Sequence, residues 1–590
     1  MFLMDPQQCS RIAALLADDG VLPIDFAITS MILERDTKVS EHVFAFVCKL
    51  ALSARLGHLC LKWDGKRLVP DTSELMENSI SSKILDDMAV IGMKEIPKHL
   101  IQRNGEQTEG FFPVIELDAC FYLQKNAFFE ARFTEELLRI ASYPAEEYVD
   151  ELSLPSIFNQ GQKVAVSNCL SSSFSVITGG PGTGKTFIAA QIVRHYILRA
   201  RKEGRSDPQI VLAAPTGKAA MQLEASVRRS LDTDSCVRVG TLHFLLSIKS
   251  SQDMMQEPPA LAADLVIVDE ASMIDARLFF YFLSSVQPGT KVILIGDKDQ
   301  LPPIDSGSLF ADLVDFARSY QGIPCYELTE CLRSDRKPLL ELAKAINLQD
   351  RDSVKRMLLD NTGFLQRTVF FHVDRSIRSR YEDLWAFCQP RFPFVKSDLD
   401  PLALLQAFDR FRILSCIRKG ALGVDAMNQF FAEKFSVLTS SAESMVYPIL
   451  IKKNQYALDL FNGDVGVLVK YKKKQGLQDK ENDVAYFYDK QSGLARAVPS
   501  IILPDYEYAY CLSIHKSQGS EYDDILILAQ EGSQSFGKEV LYTAVTRAKN
   551  RVFIDISDSV LEQLLSRSSR KISGLHGRLR IAKEITCSTT

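Results

Sequence analysis

Two rhythms of apolar positions divide the chain. Up to about residue 150 they recur three and four apart, in Ser10 to Leu16, Val43 to Leu59 and Phe121 to Ile140, the spacing of helices that bury one face. That stretch ends at Tyr143-Pro144-Ala145, a plausible boundary. From Pro155 onward, short runs of β-formers (Phe174 to Ile177, Gln209 to Ala214, Leu265 to Val268, Lys291 to Ile295) alternate with helix-length stretches. This alternation predicts a parallel sheet with crossover helices. Asn462 to Ser500 shows short alternating strands around a basic turn, Lys472 to Lys474, which is either a solvated loop or a DNA contact.

The first of these strands runs into Gly179-Gly180-Pro181-Gly182-Thr183-Gly184-Lys185-Thr186, which fits the phosphate-binding pattern G-x-x-x-x-G-K-[ST] in its strand-loop-helix context. Successive backbone N–H groups must turn inward around a polyphosphate, and residues without bulky side chains let the backbone come that close. Lys185 can then reach the β- and γ-phosphates, Thr186 is placed to ligate Mg²⁺, and the helix N-terminus adds partial positive charge. Leu265 to Val268 ends in Asp269-Glu270, placing two carboxylates at the same edge of the sheet as the phosphate loop. Asp269 is the expected Mg²⁺ partner and Glu270 the general base for an attacking water. At the end of the next strand, Gln300 could touch the γ-phosphate. Gln162 precedes the loop at a position where an amide could hold an adenine edge. Pro215-Thr216-Gly217-Lys218 opens a helix after a strand, either as a backbone-phosphate site or as a simple helix cap. Two arginines, Arg333 in LTECLRS and Arg547 in LYTAVTRAKN, lie beyond the first sheet and could complete a nucleotide site from a second domain.

Composition narrows the class without choosing the partner. A chain of 590 residues is too long for one core. With 46% hydrophobic and 24% charged residues it reads as globular. A formal charge of −5 argues against a uniformly basic surface but leaves room for a local basic groove. The twelve cysteines form no C-x-x-C pair and read as reduced, and no apolar run approaches a membrane span, so a cytoplasmic location is expected. The basic residues Arg567, Arg570, Lys571, Arg578 and Arg580 either contact DNA or form a frayed or surface-docked end.

GGPGTGKT, APTGKAA, TLHFLL, VDEAS, GDKDQLPP, LTECLRS, AYCLSIHKSQGSEYDDILIL and LYTAVTRAKN occur in the order of superfamily 1 helicase motifs, which the chain resembles over roughly Ser156 to Ser557. Within that superfamily, RILSCIRKGALGVDAMN, PILIKKNQYALDLFNGDVG and the N-terminal GHLCL are similar to the RecD family, alpha subunits of exodeoxyribonuclease V. The resemblance implies an α/β fold: two RecA-like parallel-sheet P-loop domains, a small SH3-like β insertion and a helical N-terminal domain. On this chain the implied parts are a partner-binding domain (1–150), a first ATPase domain (151–330), a second domain in two pieces (331–445 and 506–565), the insertion (446–505) and a basic tail (566–590).

The resemblance further implies ATP in the interdomain cleft and single-stranded DNA at duplex ends as substrate. The DNA path, or its coupling to ATP, would involve Pro215, Thr216, Lys218, Thr241, His243, His515, Ser517 and Gln518. It also implies 5′-to-3′ movement and assembly with RecB-like and RecC-like subunits, with nuclease activity in the RecB-like partner. A stand-alone DNA or RNA helicase of the same superfamily, and an ATP-locked scaffold that does not step, remain as alternatives.

Overall fold

The computed structural model describes residues 20–588 except 35–38, 76–79, 104–110, 145–153, 157, 205, 207, 232–236, 320–322, 331–336, 360–364, 368–376, 394–399, 440–443, 472–482, 490–492 and 504. Arg333 and Lys472 to Lys474 lie outside the described residues.

The N-terminal region carries helices α1 (Pro23–Leu33), α2 (Glu41–Arg55) and α3 (Ile80–Glu95). With them comes a five-stranded sheet, order β2-β1-β5-β4-β3, from β1 (Cys60–Trp63), β2 (Leu68–Val69), β3 (Ile101–Gln102), β4 (Val114–Leu117) and β5 (Cys120–Leu123). The helical expectation holds for Val43 to Arg55, missed this sheet, and at Ser10 to Leu16 falls outside the described residues. Strands of two to four residues are too short to display a period of two, whereas α2, almost wholly buried, dominates the pattern. Helix α4 (Gln124–Ala141) leaves the sheet and packs its Phe133, Leu137 and Ile140 into the core of the next unit.

That unit is a six-stranded parallel sheet, order β11-β6-β10-β9-β7-β8, built from β6 (Phe174–Gly179), β7 (Ile210–Ala214), β8 (Val237–Thr241), β9 (Leu265–Val268), β10 (Lys291–Gly296) and β11 (Cys325–Leu328). Both faces are covered, so its central strands read as continuous apolar runs. The pleat sends neighbours to opposite cores. Val176, Val266, Val268 and Leu294 join α4 and α8 (Ala276–Ser285) on one side. Ile177, Ile267, Ile293 and Ile295 meet α5 (Gln160–Ser171), α6 (Lys185–Lys202) and α7 (Gly217–Arg228) on the other.

A second parallel sheet, order β12-β21-β20-β13-β19, uses β12 (Leu365–Arg367), β13 (Phe411–Ser415), β19 (Cys511–Ser513), β20 (Tyr522–Ala529) and β21 (Ala548–Ile556). Between β13 and β19 the chain forms a separate antiparallel sheet, order β17-β16-β15-β14-β18, from β14 (Ser444–Ile451), β15 (Val465–Tyr471), β16 (Val484–Tyr488), β17 (Ala495–Pro499) and β18 (Tyr506–Tyr508). Its own core includes Tyr447, Ile449, Ile451, Leu468, Phe487 and Val498. Two parallel sheets with an antiparallel insertion make this the expected α/β architecture. Among the described residues no helix is long and apolar enough to cross a membrane.

The C-terminal segment docks rather than frays. After α11 (Asp558–Ser566) it passes α10 (Gly537–Val545), where Glu539 accepts from the Ser569 N–H at 2.8 Å. It then reaches α9 (Leu309–Ser319), where Arg570 pairs with Asp312 at 2.7 Å and Asp315 at 2.6 Å. Helix α12 (Leu575–Ser588) closes on the N-terminal region, with Arg578 donating to the fully buried Glu130 at 2.7 Å. Glu130 also accepts from Tyr122 Oη and the Gly574 N–H. Arg570, Arg578 and Lys571 are therefore committed to protein partners, because burial of their stems is offset only by such pairing, whereas Arg580 makes an exposed pair with Asp118. Arg578→Ala is expected to leave Glu130 buried without its cation and to cost about 3–5 kcal/mol of docking. Limited proteolysis of the C-terminal segment and the thermal midpoint measure it, and an unchanged cleavage pattern would contradict the pairing.

Candidate active site

The phosphate loop hangs between β6 and α6. Gly184, at the helix N-cap, has φ of 84°, a left-handed conformation that a Cβ would strain. Gly179 passes so near β11 that a Cβ would stand 2.8 Å from the Leu328 carbonyl oxygen. The Lys185 ammonium donates to the carbonyls of Gly179 and Gly180 at 2.5 and 2.9 Å, inside the loop it would serve. Thr183 Oγ1 donates to the Gly180 carbonyl at 2.8 Å. Pro181 and Gly182 also border the cleft.

Gln162 requires a correction. Its amide is spent within the protein: Oε1 accepts from the Asn159 N–H at 3.1 Å in a capping box that opens α5, and Nε2 donates to the Thr183 carbonyl at 2.9 Å. With the side chain buried and both amide atoms engaged, Gln162 braces the phosphate loop instead of presenting an adenine edge.

The carboxylates follow β9. Thr186 Oγ1 donates to Asp269 Oδ2 at 3.4 Å, and Asp269 Oδ1 accepts from the Glu270 N–H at 2.8 Å. A hydroxyl and a carboxylate at this separation are the hard oxygen donors that suit Mg²⁺. Glu270 has φ of 52°, unusual for a residue with a side chain, so the chain accepts local strain to aim it. Its Oε2 is buried and has no partner among the described residues. Burial, and then the adjacent Asp269 charge, push its carboxyl above the ordinary range, while Arg547 and Lys185 pull it back. Burial likewise raises Asp269.

The second sheet supplies the opposite wall. Arg547 is buried at the end of α10, with Nε donating to the Thr543 carbonyl at 3.0 Å and the guanidinium held by backbone and hydroxyl oxygens. It shares with Lys185, Thr186, Asp269, Glu270 and Gln300 a cleft of about 690 Å³. Residues more than 350 positions apart thus face one volume. Arg333 is outside the described residues, so only one of the two expected arginines is seen here.

The residues expected along the DNA path divide into two groups. Thr216 caps α7, accepting from the Ala219 N–H at 3.3 Å, and Thr241 caps the turn that carries His243, accepting from the Phe244 N–H at 3.2 Å. Pro215 and Lys218 flank the first cap, half-buried, with Lys218 Nζ 5.7 Å from the Tyr522 ring centre. Burial lowers His243, and burial with the nearby Lys571 charge pushes His515 down to about 4, so His515 is neutral near pH 7 and offers hydrogen bonds rather than charge. The other group faces inward. Ser517 has no exposed surface and its hydroxyl donates to the Ile514 carbonyl at 2.7 Å, so it supports its loop and does not present a hydroxyl to DNA. Gln518 donates to the Leu301 carbonyl at 3.3 Å, joining the two parallel-sheet units.

Residues 157–368 match the family described as an AAA domain, and 508–554 match the UvrD-like helicase C-terminal domain. The RecBCD enzyme subunit RecD of Mycolicibacterium smegmatis is 30% identical over 495 residues, covering 80% of this chain and 84% of that protein. The RecD subunit of Mycobacterium tuberculosis is 32% identical over 495 residues, covering 79% and 82%. This chain belongs to the RecD family. The ATP-dependent RecD2 DNA helicase of Deinococcus radiodurans is 27% identical over 389 residues, covering 64% of this chain and 46% of that protein.

In this RecD-family chain the motif reading passed over three residues that the structure places behind the cleft lining, bonded to Gln300, Leu301 and Arg547: Asp297, Tyr542 and Thr543. The Tyr542 hydroxyl donates to Asp297 Oδ2 at 2.8 Å, and the Leu301 N–H donates to Thr543 Oγ1 at 2.9 Å. A signal was present. Asp297 is a carboxylate at a strand end beside Gln300, and Tyr542 lies five positions before Arg547, little more than one helical turn.

Proposed function

We propose that this chain is the ATP-driven DNA motor subunit of a RecBCD-type complex, unwinding double-strand ends for recombinational repair in the cytoplasm with RecB-like and RecC-like partners. The observation that carries the reading is the single cleft shared by Lys185, Glu270 and Arg547. The identities to RecD subunits favour the subunit reading over a stand-alone helicase.

In the proposed cycle the loop N–H groups and Lys185 bind the polyphosphate of ATP, and the two parallel-sheet units close on it. Glu270 takes the proton of the attacking water as that oxygen bonds to the γ-phosphorus and the bond to the β-phosphate oxygen breaks. Arg547 and Gln300 stabilise charge on the transferred group from either side. Thr186 and Asp269 would hold Mg²⁺, which when bound neutralises phosphate charge. Release of product lets the cleft reopen, and the grips of the two units on a single strand alternate. Pro215, Thr216, Lys218, Thr241, His243 and His515 belong to that grip, with Gln518 tying it to the cleft.

Strand displacement by the full chain on duplexes with 5′ or 3′ single-stranded tails, with and without RecB-like and RecC-like subunits, tests the reading. Unwinding of the 5′-tailed duplex is expected. Unwinding of only the 3′-tailed duplex would overturn the polarity, and no ATP-dependent unwinding in any arm would favour the scaffold.

A further inference from the structure

One carboxylate oxygen joins the two parallel-sheet units behind the cleft. Asp297 follows β10, and its Oδ2 accepts from Gln300 Nε2 in its own loop at 3.4 Å and from Tyr542 Oη on α10, in the other unit, at 2.8 Å. Its second oxygen, Oδ1, accepts from the Asp299 N–H at 3.1 Å. All three side chains are buried. The same loop is held twice more from the second unit, by Thr543 Oγ1 on the Leu301 N–H and by Gln518 Nε2 on the Leu301 carbonyl. Thr543 also carries the carbonyl that receives Arg547 Nε. Tyr542 Oη stands 3.3 Å from where a Cβ on Gly180 would lie, against the phosphate loop itself.

The two bonds to Oδ2 differ in strength. A phenol donating to a carboxylate at 2.8 Å is short and charge-assisted, whereas an amide at 3.4 Å is at the edge of hydrogen bonding. Gln300 is thus the donor that leaves easily, and its Oε1 has no partner among the described residues. Burial, with Asp297 and Asp299, pushes the Tyr542 phenol well above its ordinary range, so it remains the donor.

We propose that Tyr542 is a positioning residue for hydrolysis: by anchoring Asp297 it leaves the Gln300 amide free to meet the γ-phosphate, and it sets that contact in register with Arg547 in the turn that ends its helix. Without the hydroxyl, the buried Asp297 Oδ2 has Gln300 as its remaining side-chain donor and draws the amide out of the cleft. Contacts from the two units to the γ-phosphate are then no longer made together. Substrate binding is untouched, because the phosphate loop and Lys185 are unaltered.

This inference rests on Gln300 acting at the γ-phosphate, and the test separates the two. Steady-state ATP hydrolysis with single-stranded DNA is measured for the full chain and for Tyr542→Phe, Gln300→Ala and the double variant, with thermal midpoints alongside. The ring is kept in Tyr542→Phe, so the midpoint is expected to stay close to that of the parent. The expected result is a kcat lower by about tenfold with KM for ATP unchanged, and no further loss when Tyr542→Phe is added to Gln300→Ala. A parental kcat for Tyr542→Phe, a change confined to KM, or losses that multiply in the double variant would overturn the relay. A parental rate for Gln300→Ala would overturn the role of Gln300, and with it the ground on which the relay stands.

Discussion

Lys185→Gln is expected to abolish DNA-stimulated ATP hydrolysis, a loss of roughly 10²–10³-fold or more from one cation aimed at developing phosphate charge. The Lys185 ammonium lies within the loop, donating to the Gly179 and Gly180 carbonyls, so it is already poised where the β- and γ-phosphates would sit. Glutamine keeps most of the length but loses the charge, and a neutral amide cannot offset phosphate repulsion in a partly desolvated cleft. The fold should survive, because among the described residues Lys185 forms no ion pair on which the core depends. Unaltered circular dichroism and partner binding would separate loss of chemistry from loss of structure. Unwinding retained by the variant alone would remove Lys185 from the mechanism.

Glu270→Gln is expected to slow hydrolysis about 10²–10⁴-fold while ATP binding persists, the range for losing a general base. Both the left-handed backbone at Glu270 and an Oε2 without a partner among the described residues point to a group held ready for a reaction and not for stability. The sign of the stability effect follows from the pKa. Its folded value lies above the ordinary carboxylate value, so the ionised form is the costly one, and the native state loses stability as pH rises through that value. Replacing it with a neutral amide removes this loss. Near pH 7 the thermal midpoint of Glu270→Gln should equal or exceed the parent's, while single-turnover hydrolysis collapses. Hydrolysis close to the parental rate would assign the base elsewhere.

What could be read from sequence was what is local. The phosphate loop, Asp269-Glu270 and the run ending in Arg547 are short strings whose spacing alone fixes backbone conformation, and the structure brings them to one cleft. The alternating strands predicted the first parallel sheet because buried strands leave continuous β-former runs, whereas the second was expected only from the family resemblance. Gln162 was misread although its capping-box partner, Asn159, stands three positions earlier; a local hydrogen bond competed with the ligand and won. Asp297 and Tyr542 meet across 245 positions, and Arg578 meets Glu130 across 448, distances over which no periodicity carries information. The docked C-terminal segment was legible only as basic residues, since its acidic partners are set by folding.

ATP hydrolysis by the purified full chain, measured without nucleic acid, with single-stranded DNA and with single-stranded RNA, tests most directly whether this cleft drives a DNA motor. Strong stimulation by DNA, weaker stimulation by RNA and loss of both in Lys185→Gln are expected. A rate that DNA leaves unchanged, in the chain alone and with RecB-like and RecC-like subunits added, would contradict the motor and leave ATP as a structural lock.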